Sequence, residues 1–318
     1  MFEQLVSGVR VLNADDLGIG VKAKAAVGHS SSAPDAPEVP ADHPRIQEIV
    51  RLAERHRAVL LTGPPGTSKS HYAAEAADVL VNRVQKRRRY IQFHASYQYE
   101  DFMMGFSPTD SGFEVKRGPF LELADEANDD PEHMYVLVID ELSRADVGRV
   151  FGEALTYIER RKREQPFTIA NGREVKIPMN LIIIATMNPF DRGVDEVDAA
   201  FERRFPKIAM DPDRDELDEI LTENGMDETL KTRVLGWFSR INSHARKIPA
   251  AAVGHAYFIG ESDESTLRDL WNYQLKYVVQ RAFRREENTR MDLETAWDQI
   301  FFELPDVDDD ITRGQAAP

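Results

Sequence analysis

Residues 63–70 read Gly63-Pro64-Pro65-Gly66-Thr67-Ser68-Lys69-Ser70, directly after the apolar run Ala58–Thr62 and directly before a helical pattern. A glycine-rich turn in that context aims backbone N–H groups and the positive end of the next helix at one point, the geometry that phosphate oxygens require. Lys69 would then reach the outer phosphates as a point charge, and the Ser70 hydroxyl would sit on a magnesium ion. The expected nucleotide contact runs from Gly63 through His71. The position before the lysine, usually glycine in such loops, is Ser68, small enough for the backbone still to approach a phosphate. The competing reading is an ordinary proline-glycine turn.

A second constellation lies about seventy residues on, where Tyr135–Asp140 is an apolar strand that ends in the carboxylates of Asp140 and Glu141. Asp140 is placed to hold the water shell of magnesium, and Glu141 to orient and polarise an attacking water. The run Leu181–Met187 ends in Asn188, a polar residue able to contact a terminal phosphate or that water, or else to start a turn before Pro189. Arg203 and Arg204, within FERRF at 201–205, end a helix expected from about Val194. A guanidinium fork supplied by a neighbouring subunit would neutralise charge developing on phosphate; the alternative is a helix-end salt bridge.

These residues need a scaffold. Apolar runs at Ala58–Thr62, 90–93, Tyr135–Asp140, Leu181–Met187 and 207–210, separated by helical patterns, predict a parallel sheet with helices on its faces. Val147, Val150, Phe151, Ala154, Leu155 and Ile158 share one face of a helix expected over 144–160 and are read as core. The basic run 86–89 is read as a solvated helix end. Beyond residue 213 strand signals vanish, and Leu267, Leu270, Trp271, Leu275 and Val278 continue a helical stripe. The expected domains are a weakly ordered tail and linker at 1–42, an α/β nucleotide-binding domain at 43–212, a helical domain at 213–303 and an acidic tail at 304–318.

Composition narrows the function classes. Zero cysteines exclude disulfides, thiolate metal sites and cysteine nucleophiles. A net charge of −15 argues against a broad nucleic-acid face, so DNA contact is expected to be indirect or through a pore. No apolar run approaches membrane-spanning length and the first residues lack the pattern of a secretory signal, so the cytoplasm is the expected location.

The order of phosphate loop, Asp-Glu strand, Asn strand and paired arginines resembles AAA+ proteins. Four longer strings are similar to the McrB branch, of dynein-related AAA type: IQFHASYQYEDFMMGFSP (91–108), VLVIDELSRADVGRVFGEALTYIE (136–159), ATMNPFDRGVDEVDAAFERRF (185–205) and VGHAYF (253–258). The resemblance spans about 44–283 and implies a P-loop fold with a five-stranded parallel sheet and a smaller helical lid. It further implies a hexameric ring, cleavage of the β-γ phosphoanhydride of ATP or GTP with magnesium, and a separate nuclease partner in a restriction or defence system. McrB proteins show MNTADR where this chain has MNPFDR (187–192), which keeps Asn188, Asp191 and Arg192 and leaves the base open, with a slight lean to ATP. GPPGTSKS and NPFD are also similar to MoxR-type chaperones, so the alternative function is remodelling of a protein partner. A third reading, a nucleotide-gated scaffold with little hydrolysis, is opposed by Glu141 and Asn188. Restriction motors of that branch carry a sizeable modified-DNA reader before the motor, and about forty residues precede the resemblance here, so target recognition is expected to lie elsewhere.

Overall fold

The computed structural model describes residues 40–109, 112–189, 201 and 203–302. Helix α1 (Pro44–His56) starts where the His43 side chain accepts the Arg45 N–H at 3.2 Å and proline presets the first turn. Its Ile46, Ile49 and Ala53 fall on one buried face. Arg57, in the left-handed region with φ of 64°, ends the helix and turns the chain into β1 (Ala58–Thr62).

The loop 63–68 then leads into α2 (Lys69–Leu80), followed by β2 (Arg88–Gln92), the short helix α3 (Tyr99–Phe102) and an antiparallel hairpin, β3 (Met104–Thr109) with β4 (Gly112–Arg117). Next come α4 (Pro119–Asp129), β5 (Tyr135–Asp140), α5 (Val147–Phe151), α6 (Ala154–Tyr157), a two-residue hairpin pair β6 (Phe167–Thr168) and β7 (Glu174–Val175), then β8 (Leu181–Met187) and β9 (Lys207–Ala209).

Five of these strands form one parallel sheet in the order β2-β5-β8-β1-β9. Pairing brings Thr62 beside Met187, and Ile139 beside Ala185, so β1, β8 and β5 end along a common edge. Alternate residues feed two cores. Val59, Leu61, Val136, Val138, Ile182 and Ile184 meet α1 and α2 on one face. Leu60, Leu137, Ile139, Ile183 and Ala185 meet Phe93, Phe102, Phe120 and Phe151 on the other. Burial on both faces is why these strands read as continuous apolar runs rather than alternating ones.

Three expectations are corrected. The helix expected over 144–160 is two short helices, because Gly152 at φ of 51° breaks the turn and its α-carbon faces the Tyr99 ring, 2.7 Å from where a Cβ would sit. The core reading of its face stands, since Val147, Val150, Phe151, Ala154 and Ile158 are buried. The basic run at 86–89 is a 3-10 turn that passes into β2, and its arginines pair with acids: Arg87 with Asp130 at 3.7 Å, Arg88 with Asp78 at 3.1 Å and Arg89 with Glu126 at 2.6 Å. The β3–β4 hairpin has no counterpart among the expected elements. It aligns Phe106 with Val115 and Pro108 with Phe113 on one face, and Phe106, Phe113 and Val115 are exposed.

From Asp213, which caps α7 (Arg214–Glu223) by accepting the Asp215 and Glu216 N–H groups, the described chain is helical. α8 (Glu228–Ala245), α9 (Glu264–Leu270), α10 (Lys276–Ala282) and α11 (Glu287–Asp298) enclose a core of their own. All three tryptophans meet there, with Trp297 stacked on Trp271 at 5.0 Å and edge-on to Trp237 at 4.7 Å. Among the described residues no helix is long and apolar enough to cross a membrane. The tail at 1–39, the end from 303, and Asp191, Arg192 and the helix expected from Val194 to residue 200 lie outside the described residues.

At the opposite edge of the sheet Arg163 is buried and donates to the carbonyls of Ile158, Pro178, Leu181 and Arg57. Burial, and after it the nearby Arg57, push its pKa down to about 9, which leaves it charged at neutral pH.

Candidate functional site

A cavity of about 560 Å³ opens at the C-terminal ends of the central strands, where open parallel sheets place their ligands. Its walls bring together Pro65, Gly66, Thr67, Ser68, Lys69, Ser70 and His71 with Glu141 and Asn188, residues drawn from three separate sequence segments. Asp140 joins them through Ser70, while Gly63 and Pro64 of the same loop are buried and do not line the cavity.

Each loop residue has a local reason for its position. Gly63 follows β1 so closely packed that a Cβ would lie 2.1 Å from the Met210 carbonyl oxygen. Gly66 takes φ of 74°, and Thr67 folds its hydroxyl back onto the Pro64 carbonyl at 3.0 Å. The Lys69 ammonium donates to the same carbonyl at 2.7 Å. Ser68, with φ of 54° and ψ of 20°, turns the chain into α2, so the first N–H groups of that helix face the cavity.

The acidic side is equally ordered. Ser70 Oγ donates to Asp140 Oδ1 at 2.7 Å, and the Thr186 hydroxyl donates to the same oxygen. Thr186 Oγ1 accepts the Glu141 N–H at 3.3 Å, which fixes Glu141 in the left-handed region at φ of 55°. The Glu141 carboxylate lies 3.5 Å from Arg144 Nε. Asn188 is 5% exposed, directly follows β8 and lines the same cavity as Glu141. Tyr90 reaches the same corner from β2: burial and then the Asp140 carboxylate push its hydroxyl pKa up. The serine hydroxyl and carboxylate oxygens suit a hard cation that completes its shell with water and phosphate, as magnesium does. Among the described residues no cluster of three or more histidines or acids forms an all-protein metal cage.

The arginine pair is elsewhere. Arg203 is exposed and Arg204 half-buried, neither lines the cavity, and both are flanked by Phe201 and Phe205, buried and stacked at 4.3 Å.

The sequence reading missed the helical wall of the cavity. Glu216, Glu219, Ile220 and Glu223 of α7 line it, as do His255, Ala256 and Ile259, together with Pro40 and His43. His43 lies 5.4 Å from the Tyr72 ring. Burial works against the charge on Glu216, yet hydrogen bonds from His255 and Tyr72 outweigh it and hold its carboxyl below the ordinary glutamate value. Thr186 had a visible signal, as the one hydroxyl in the run LIIIATM. His255 had a weaker one, lying inside VGHAYF without a neighbouring partner in sequence.

Residues 58–205 match the family described as AAA domain (dynein-related subfamily). Over 238 residues the chain is 31% identical to the type IV methyl-directed restriction enzyme EcoKMcrB subunit of Escherichia coli K12, covering 70% of this chain and 52% of that protein. It is 25% identical over 198 residues to the type II restriction enzyme BsuMI component YdiS of Bacillus subtilis, covering 49% of this chain and 57% of that protein. The chain spans about half the length of these curated relatives. Among solved structures, NtrX from Brucella abortus in complex with ATP is 12% identical with a TM-score of 0.39, over 84% of this chain and 70% of that one.

Proposed function

We propose that this chain, whose residues 58–205 match the AAA domain family (dynein-related subfamily), is the nucleoside triphosphatase motor subunit of a McrB-like restriction or defence system. The observation that carries the reading is the convergence of Lys69, Ser70, Glu141 and Asn188 on one cavity, with Asp140 hydrogen-bonded to Ser70.

The loop N–H groups and Lys69 hold the phosphates of ATP or GTP, and Lys69 exchanges its contact with the Pro64 carbonyl for phosphate oxygens. Ser70 and Asp140 would hold magnesium, partly through water, and the ion would supply positive charge against that of the phosphates. Glu141 orients a water opposite the scissile bond and accepts its proton. The water oxygen bonds to the γ-phosphorus as the β-γ bridging bond breaks, giving the diphosphate and inorganic phosphate. Asn188 steadies the water or the terminal phosphate. One of Arg203 and Arg204, both outside the subunit's own cavity, acts on the phosphates of the adjacent subunit in a hexameric ring. The division of residues follows as 43–212 for the nucleotide-binding domain and 213–303 for the helical lid.

Likeness to two restriction components supports a separate nuclease partner over the alternative, a MoxR-like chaperone. Phosphate release from ATP and from GTP, measured side by side with and without a candidate nuclease from the same operon, tests the proposal. Hydrolysis that the nuclease accelerates is the expected result. Hydrolysis coupled only to refolding of a protein client would favour the chaperone, and tight binding without turnover would favour a gated scaffold.

A further inference from the structure

Ser68 sits in a backbone region that glycine enters freely and serine does not, with φ of 54°. Its hydroxyl does not cap its own helix. Ser68 Oγ instead lies 3.2 Å from Nε2 of His255, far along the sequence and only 2% exposed. The direction of that bond follows from the other ring nitrogen. Nδ1 accepts the backbone N–H of Asp213 at 3.3 Å, so it carries the lone pair and the proton of the neutral ring is on Nε2. That N–H faces two acceptors, Ser68 Oγ and Glu216 Oε2, the latter at 2.9 Å. Glu216 in turn receives the hydroxyl of Tyr72, in the first turn of α2. Backbone contacts reinforce the approach: the Ala256 N–H donates to the Gly66 carbonyl at 2.9 Å, and a Cβ on Gly254 would lie 1.9 Å from that oxygen.

We infer that His255, braced by Glu216 and Tyr72, is a positioning residue that latches Ser68 in the left-handed turn of the phosphate loop and so makes nucleotide binding conditional on the placement of the turn at 254–258. The inference rests on the nucleotide-site reading of residues 63–71. A glycine in place of Ser68 would adopt the turn unaided, leaving the loop indifferent to His255. Serine makes the turn costly unless its hydroxyl is held. Withdrawal of the 254–258 turn therefore weakens phosphate binding, and by reciprocity bound nucleotide holds the turn in place.

A double-mutant cycle separates this latch from a packing role for a buried histidine. Wild type, His255→Ala, Ser68→Gly, the double variant and Ser68→Ala are titrated with mant-ATP and mant-GTP, after thermal melts establish folding. His255→Ala should weaken binding about tenfold when Ser68 is present, the scale of an uncompensated left-handed residue, and less than about twofold when it is combined with Ser68→Gly. Ser68→Ala keeps the strain and loses the bond, so it should also bind about tenfold more weakly than wild type. An equal loss from His255→Ala with and without Ser68→Gly overturns the latch. If His255→Ala does not fold, Ser68→Ala binding as tightly as wild type overturns it. Wild type that binds neither probe, or that binds no better than Lys69→Ala, overturns the nucleotide-site reading and the latch with it; the latch alone fails when wild type binds in a Lys69-dependent way and the cycle shows no coupling.

Discussion

The Ser70 hydroxyl donates to Asp140 Oδ1 at 2.7 Å, joining the first turn of α2 to the end of β5 across a sequence separation of 70. In the proposed reaction these two residues would hold the magnesium ion. Ser70→Ala should therefore abolish most of the gain in nucleotide affinity that magnesium provides, while affinity in EDTA stays close to that of wild type. Titrations at graded magnesium concentrations check this, and an unchanged magnesium dependence would remove the pair from the metal site.

Binding and chemistry should separate at two other positions. Lys69→Ala removes the cation nearest the outer phosphates and should reduce nucleotide affinity by at least a hundredfold, on the scale of a charge-assisted contact with phosphate lost in a partly buried site. Glu141→Gln keeps the shape but cannot take a proton, so it should retain nucleotide while turnover falls by roughly a hundredfold or more. Equilibrium binding and single-turnover hydrolysis of the same preparations distinguish the two; undiminished turnover in Glu141→Gln would transfer the role to another acid.

The arginines test assembly. Removing whichever of Arg203 and Arg204 reaches the next subunit should lower turnover by about a thousandfold with binding by an isolated subunit intact. Mixing that variant with Glu141→Gln should restore activity, because the second protein supplies the arginine and the first supplies an intact Glu141. Hydrolysis plotted against mixing ratio should peak near equal parts. No rescue in mixed rings verified by light scattering would place both arginines within their own subunit.

Acid stability should report Glu216. Its folded carboxyl titrates below the ordinary glutamate value, so its stabilising contribution is complete above that value, near pH 4.3, and is lost as the pH falls through the lower folded pKa. Urea midpoints should thus drop below about pH 4.3 in wild type, and Glu216→Gln should flatten that part of the profile. An identical acid limb in both proteins would show that the carboxyl is not held by His255 and Tyr72.

The sheet was legible because its strands are local apolar runs, and the loop that borders the cavity because its string is continuous between a strand and a helix. What stayed hidden depended on distant partners or on punctuation within a periodic run. Gly152 interrupts a stretch whose apolar spacing continues across it, and only the Tyr99 ring packed against the glycine reveals the break. The β3–β4 hairpin carries glycine, proline and serine within its strands, which weakens the alternating pattern that announces a strand. His255 and Glu216 acquire meaning only when the turn at 254–258 closes on Gly66 and Ser68, far along the chain.

Arg163 gives the sheet a fixed end. Its guanidinium gathers the carbonyls of Arg57 and Leu181, at the starts of β1 and β8, together with those of Ile158 and Pro178. A lysine would bring one rotating ammonium to a place arranged for a planar fork, and would leave carbonyls unmatched in the interior. The two strands that carry the loop 63–68 and Asn188 are thereby pinned at the end away from the cavity, so strain applied at the cavity end, as by the proposed nucleotide, is borne as in a lever clamped at the other.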